Sequence, residues 1–517
     1  MFVKRKRDAD GQHFEGRQFR PYNVLMVALM SLGSVGYGYN ASIIATTLAQ
    51  PSFNTYFELD TRPNGTQLIA TMNGLYQAGG FLGVLTISWL ADRWGRRFAI
   101  GVSAFICMIS GALLAGSVHV GMFIAMRFLS GAGAFMIVAA VPIWMNEVVP
   151  PSVRGILVDC HSVGLLFGYA LATWLGYAFY HLPETNNGAW RAPLAFQCLP
   201  VFLLLLGLRW MPESPRWLML KDRFEEADQT LRKLHAPQEA AIELRQIQQS
   251  IQADKHLETS WWAMFTKRSY LKRSLLAIAT TFSIQTSGIL VINNYGPRLY
   301  STLGFDTNRQ FLYQIGWITL AFGTGILSFF VIDRFPRNKL LATGVAGCAL
   351  SLLVEAVLVA LYATTPSAIA NPNQSGLQAA VASMYIYVCF YELCLGGVQF
   401  AYLGELFPTH IRAKGMVIGI ANICVMNIMW LQAAPTAFDT IGWRFFLCFV
   451  IPGIISATLM WIFFPDTLGV PLEEIARIFG DHQELTEAEK DSGLPAAETN
   501  SNDLEKSLSH HVENTKA

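Results

Sequence analysis

Long apolar blocks, recurring along the chain between short charged turns, constrain this sequence more than any other feature. Each block runs roughly 20 residues, the length an α-helix needs to cross the hydrocarbon core of a bilayer. A backbone in lipid must satisfy its own hydrogen bonds, so such blocks become helices. Twelve can be placed between Val24 and Phe464, the sixth over 194–211, the seventh over 275–295 and the tenth over 377–403. Composition agrees: 14% of residues are charged, against about 25% in ordinary soluble domains. The chain is predicted to be an all-α polytopic membrane protein with the bilayer as its main partner. A net charge of +1 gives no footprint for nucleic acid, and no feature calls for an obligate protein partner. The eight cysteines all lie in apolar blocks, without the paired loop spacing of a disulfide framework or zinc site. Neither a metal nor another cofactor is expected.

The turn Asp92-Arg93-Trp94-Gly95-Arg96-Arg97 joins the blocks 68–90 and 98–118. Glycine permits a tight reversal there, and the arginines hold the turn on the cytoplasmic side. The pattern returns. Asp92 to Arg96 is echoed by Asp333-Arg334-Phe335-Pro336-Arg337, and Glu147, Pro150 and Arg154 by Glu405, Pro408 and Arg412 at identical spacing. Trp190-Arg191 is echoed by Trp443-Arg444, and Pro212-Glu213-Ser214 by Pro465-Asp466-Thr467. Four matched pairs in one order predict two pseudo-symmetric six-helix bundles, 21–211 and 273–465. A cytoplasmic linker, 212–272, joins them, and Leu244, Ile247 and Ile251 give it an amphipathic helical spacing. Residues 1–20 form a basic cytoplasmic tail; 466–517 form a second cytoplasmic tail, acidic and disordered after about 481 by its composition. Lysine and arginine crowd the loops on the side of the Asp92 turn, which puts both termini in the cytoplasm. The sequons at Asn64 and Asn373 fall in loops on the opposite side, as glycosylation would require.

These motifs resemble the sugar porter family of the major facilitator superfamily, and most of all its fungal members. The resemblance covers about 20–480 and rests on Asp92 to Arg97, Arg127, Pro142 with Glu147 and Arg154-Gly155, Pro212 to Leu218, Gln285-Thr286-Ser287-Gly288, and Glu405 to Gly415. It implies a multi-pass plasma-membrane carrier that moves a sugar or related small polyhydroxylated solute by alternating access between its two halves. It also implies that Asp92, Arg93, Arg97, Glu147, Arg154, Arg216, Asp333, Arg334, Glu405 and Arg412 form the salt bridges that close the inner gate between the halves.

A polyol needs donors and acceptors spread around a midplane cavity, which amides supply without a charge. Gln285, Asn293, Asn294, Asn422, Asn427 and Gln399 lie in the spans, with Tyr295, Phe400, Tyr402 and Trp430 as stacking faces. By resemblance Gln285 and Asn422 bind solute and Tyr295 gates the outer side. Several family positions depart from the pattern: Ser162, Ile284 and Leu290 stand where amides are expected, and Phe400 where a tryptophan is. A site with fewer polar groups discriminates hydroxyls less strongly, so a less hydroxylated solute than a hexose is expected. Charged residues within spans are functional candidates: Arg127, Asp159, His161 and Glu392 for proton coupling, with Glu355 a bundle-internal partner. In proton-coupled members a helix-1 aspartate sits beside the helix-4 arginine; Asn40 occupies that place, as in facilitative members, and is counted with the solute-binding residues. Facilitated transport is therefore expected, with Asp159, His161 and Glu392 as an alternative proton route. Two other readings stay open: a carrier of a less polar metabolite, such as a secondary-metabolism product, and a non-transporting nutrient sensor. An enzyme is not expected, because Asp159-Cys160-His161 alone makes no catalytic set.

Overall fold

The computed structural model describes residues 21–148, 154–183, 185–234, 237–254, 260–365, 371–408, 410–468 and Phe479, with backbone alone for 154–159. Both terminal tails thus lie outside the described residues, apart from the first part of 466–517. Twelve helices among them are long and apolar enough to cross a membrane. The first half holds α1 (Pro21–Ala49), α2 (Gly65–Trp94), α3 (Arg96–Ala115), α4 (Val120–Met145), α5 (Cys160–Tyr180) and α6 (Gly188–Gly207). The second holds α7 (Arg268–Thr302), α8 (Thr307–Val331), α9 (Arg337–Tyr362), α10 (Gln374–Leu406), α11 (Arg412–Thr440) and α12 (Gly442–Phe463). Side chains such as Ile451, Ile454, Ile455, Leu459 and Ile462 stand exposed along α12. A contiguous apolar face of that kind is suited to hydrocarbon rather than water.

Within the first half, α1 lies along α5 and α2 along α4; within the second, α9 lies along α10 and α12. The halves meet where α2 packs on α11, α5 on α8 and α1 on α7. Small residues set the closest crossings, as usual where no hydrophobic force drives helices together. A Cβ on Gly131 of α4 would lie 1.9 Å from the Tyr76 carbonyl of α2, and one on Gly38 of α1 would lie 2.0 Å from the Leu165 carbonyl of α5. The backbones are therefore in contact.

Three spans depart from the block pattern. The seventh extends over Arg268–Thr302 and breaks at Thr286-Ser287-Gly288, where Gly288 takes φ +85°. Its two parts are polar in different registers, so hydropathy alone covers only the middle. The sixth begins at Gly188, earlier than hydropathy places it, because Trp190 is buried rather than interfacial. The tenth carries a π-helical turn over Glu392–Gly396; such turns concentrate at functional sites. A short helix, Pro51–Phe57, was not foreseen; Phe53 and Phe57 pack on Phe123 and Trp190 and cover one end of the first bundle. In the linker, Leu244, Ile247 and Ile251 pack on Trp217, Leu218, Met219 and Ala227.

Candidate functional site

The α2–α3 and α8–α9 turns lie at one end of the helices, called here the charged end. Exposed Asn64 and Asn373 lie at the other, the sequon end.

At the charged end the internal repeat becomes a repeated hydrogen-bond network. Arg96 Nε donates to Glu147 Oε2 at 2.9 Å, and Arg96 Nη1 to Asp92 Oδ1 at 3.0 Å. Arg337 Nη2 reaches Glu405 Oε1 at 3.3 Å and Asp333 Oδ1 at 3.0 Å. Each network is completed by a carboxylate that follows the sixth helix of its half and caps the third. Glu213 Oε1 accepts from the backbone N–H of Arg96 at 2.9 Å and Arg97 at 3.1 Å; Asp466 Oδ1 accepts from that of Arg337 at 2.8 Å. A carboxylate there satisfies orphan helix donors and complements the helix dipole. Burial pushes the Glu213 carboxyl above its ordinary pKa, against the opposing pull of the Ser214, Arg97 and Arg96 backbone donors. Gly95, at φ +102°, cannot carry a side chain, since a Cβ would meet Glu213 Oε2 at 2.4 Å.

This arrangement corrects the expected gate. Arg96 and Arg337 are the buried arginines, not Arg93, Arg97 or Arg334. Arg93 and Arg334 are exposed, and Arg93 lies over the Trp89 and Trp94 rings at 5.6 and 5.8 Å. The ion pairs of Arg96 with Asp92 and Glu147, and of Arg337 with Asp333 and Glu405, stay within one bundle instead of crossing between halves. Helical phase explains the choice: the residue that opens each third helix points inward beneath the capping carboxylate. Arg216 is half-buried in the Pro215–Leu220 helix, and Arg412 Nε donates to the Phe407 carbonyl at 3.4 Å. The side chains of Arg154 and Asp159 lie outside the described residues.

At the sequon end the two halves are sealed together. Asn73 Nδ2 of α2 donates to Tyr295 OH of α7 at 2.9 Å, and that hydroxyl donates to the Leu431 carbonyl of α11 at 3.1 Å. Arg298 pairs with Asp439 at 2.6 Å, and Thr66 of the other half approaches the same carboxylate at 3.4 Å. Trp174 Nε1 donates to Thr319 Oγ1 at 3.1 Å. Tyr295→Phe removes two hydrogen bonds worth about 1 kcal/mol each. It is expected to shift the population toward opening at the sequon end by about ten-fold or more, read as faster labelling of Gln432→Cys by an impermeant maleimide.

Between the seal and the charged end a cavity separates the bundles. Its walls differ. The second bundle supplies every amide: Gln285, Asn293, Gln399 and Asn427. The first supplies Ser162 and His161 as its polar side chains besides two tyrosines, Tyr37 and Tyr169. Phe400, Trp317 and Tyr391 offer ring faces, and the Glu392 carboxyl lines the wall at the π-helical turn. His161 Nδ1 is within 2.6 Å of Ser34 Oγ.

The other solute candidates are placed differently. Asn422 is turned away from the cavity and spans to α7, donating to the Ile278 carbonyl at 3.2 Å and Thr281 Oγ1 at 2.8 Å. Asn294 is buried on α7 without lining the cavity, and Tyr295 belongs to the seal. Asn40 Nδ2 is held by Ser130 Oγ at 2.6 Å. Buried Arg127 reaches the Asn40 carbonyl at 3.4 Å, and its guanidinium lies 4.1 Å from the Tyr76 ring centre. Glu355 accepts from Ser383 Oγ at 2.5 Å, inside the second bundle. Sequence reasoning missed Tyr37, Tyr169 and Trp317, because aromatic residues in a span carry no mark that separates cavity from packing. Arg337, Glu213 and Asp466 could have been found: the repeat already paired Arg96 with Arg337 and Glu213 with Asp466.

Two matched six-helix halves enclosing one cavity, sealed at one end, define a membrane transporter of the major facilitator type rather than an enzyme. The chain belongs to the sugar (and other) transporter family, which it matches over residues 26–479. It is 30% identical over 455 residues to the MFS-type transporter criB of Aspergillus cristatus, covering 87% of this chain and 91% of that one. It is 28% identical to the quinate permease of Emericella nidulans, covering 88% of each. Among solved structures, the partially occluded inward-open xylose transporter XylE from E. coli superposes with a TM-score of 0.74 at 22% identity, covering 87% of this chain and all of that one.

Proposed function

We propose that this transporter carries a small cyclic polyhydroxylated solute, less hydroxylated than a hexose, by facilitated alternating access. The observation that carries the reading is the asymmetry of the cavity. Four amides on the second bundle offer paired donors and acceptors for ring hydroxyls, while Leu165, Leu166 and Phe135 of the first present an apolar face. A ring with one hydroxylated side and one carbon-rich side fits between them. Relatives named as quinate permeases favour a ring-shaped solute of this kind. Asn40, held by Ser130, cannot titrate, which supports uniport; the proton route through His161 and Glu392 is the alternative. The charged end is assigned to the cytoplasm and the sequon end to the exterior of the plasma membrane, with Asn64 and Asn373 as glycan acceptors.

The test is flux into liposomes of labelled hexoses, pentoses and cyclic polyols, with and without an inward proton gradient. Entry of a cyclic polyol is expected, indifferent to the gradient. In Gln285→Ala, losing two amide contacts worth about 1 kcal/mol each, it should fall about ten-fold or more. Gradient-driven accumulation would refute uniport. A second reading, a carrier of a less polar metabolite, draws on the apolar residues Ile289, Leu290, Ile318 and Ile420 of the same cavity and on the 30% identity to the transporter criB. Selective flux of a non-hydroxylated ring compound would favour it.

A further inference from the structure

Arg127 is 1% exposed, yet its charge has no carboxylate partner among the described residues. Its Nη1 has the Asn40 carbonyl at a long 3.4 Å, and the Tyr76 ring takes one face. Its Nε and Nη2 have no partner at all. The residue beside it that could have been an acid is Asn40, whose Nδ2 is committed to Ser130 and whose Oδ1 is unpartnered. A cation buried in a membrane protein is costly unless paired, and such residues mark solute or ion pathways.

Arg127 stands at the edge of the solute path. Tyr76, which its guanidinium covers, packs edge-on to Phe135 at 6.0 Å, and Phe135 packs on Tyr37 at 5.4 Å. Phe135 and Tyr37 both line the cavity. On the other side of Tyr76, its helix neighbour Asn73 makes the seal with Tyr295. Unpartnered acceptors cluster on the same elements: Asn73 Oδ1 and Gln77 Oε1 on α2, and Asn293 Oδ1 and Asn294 Oδ1 on α7. Asn293 also lines the cavity. This is a chamber with one fixed cation, two free guanidinium donors and hydroxyl-accepting amides.

We propose that Arg127 receives a carboxylate carried by the solute, so that the substrate class is a small cyclic hydroxy acid bound as its anion. A guanidinium with two free N–H edges suits a planar carboxylate. The amide oxygens then accept from the ring hydroxyls. Glu392, on the α10 wall of the cavity, disfavours the reversed orientation. Asn40 leaves the guanidinium available, where an aspartate would neutralise it from within the chain. This proposal rests on the polyhydroxylated-solute reading and adds the charge to it.

The experiment measures binding to purified full-length protein in detergent, by thermal shift and by equilibrium binding. The probes are a polyhydroxylated cyclohexanecarboxylate, its uncharged methyl ester, and a neutral cyclic polyol. The acid is expected to bind about 30-fold or more tightly than the ester, the range for an uncompensated buried charge. Arg127→Gln should erase that difference, and Asn40→Asp, by supplying an internal carboxylate, should weaken the acid far more than the ester. Because the acid–ester comparison uses the unaltered protein, it stands even where Arg127→Gln fails to fold. Equal affinity for acid and ester, or an acid preference that survives both substitutions, overturns the proposal. Binding of the neutral polyol without the acid overturns it too while leaving the polyhydroxylated-solute reading intact; binding of none of the three overturns both.

Discussion

Gly131→Val is expected to yield no folded transporter. The added Cβ would sit 1.9 Å from the Tyr76 carbonyl oxygen, a backbone atom in the middle of α2 that no rotamer change can move. Relief requires α4 to withdraw from α2 along its whole crossing. That separation also lifts the Tyr76 ring from Arg127 and displaces Asn73 from the seal. The loss is comparable to the entire stability of a folded protein, about 5–15 kcal/mol. The measurement is the monodisperse peak of detergent-extracted protein on size exclusion, absent for the variant. Gly323→Ala is the control: nothing lies within 4 Å of its added Cβ, and its peak should be unchanged. A normal peak for Gly131→Val would show that the α2–α4 contact is not as close as described.

Arg96→Gln is expected to cost about 3–5 kcal/mol, the range for breaking a buried ion pair from one side. Its side chain is 10% exposed and that of Glu147 14%, so water cannot replace the lost cation. The Arg96 backbone N–H would still hold Glu213, so the cap survives and the loss belongs to the pair. Removing both charges, Arg96→Gln with Glu147→Gln, should recover most of the stability, because no uncompensated charge remains. Arg337→Gln should cost less. Its contacts to Glu405 are longer, at 3.3 and 3.4 Å. Thr467 Oγ1 also donates to that carboxylate, at 2.6 Å. Arg93→Gln, at the surface, should stay within about 0.5 kcal/mol. Unfolding midpoints of the four variants check the order; equal losses at Arg93 and Arg96 would refute the placement of the turn.

The flux and binding tests separate two questions that the fold leaves joined. Gln285 concerns whether a ring of hydroxyls is held on the second bundle, and Arg127 whether a charge is held beside the first. Since one site lies on α7 and the other on α4, a variant at one need not disturb the other.

Twelve spans, their pairing into two halves and the family were legible in the chain. The reason is physical: a bilayer of fixed thickness imposes block length, and duplicated halves repeat their turns. Asp92 to Arg96 and Asp333 to Arg337 announce themselves without coordinates. Rotation about a helix axis is what the sequence does not print. Arg93, Arg96 and Arg97 are the same residue type within five positions, and only Glu213, arriving from 117 residues away to cap α3, makes Arg96 the buried one. Asn422 and Asn427 share α11, yet one spans to α7 and the other faces the cavity. The sequence by itself determined the membrane, the duplicated architecture and the kind of polar group available to a solute. The tertiary structure alone decided which of those groups face the cavity, because that depends on helix phase, on the break at Gly288 and on partners distant in the chain.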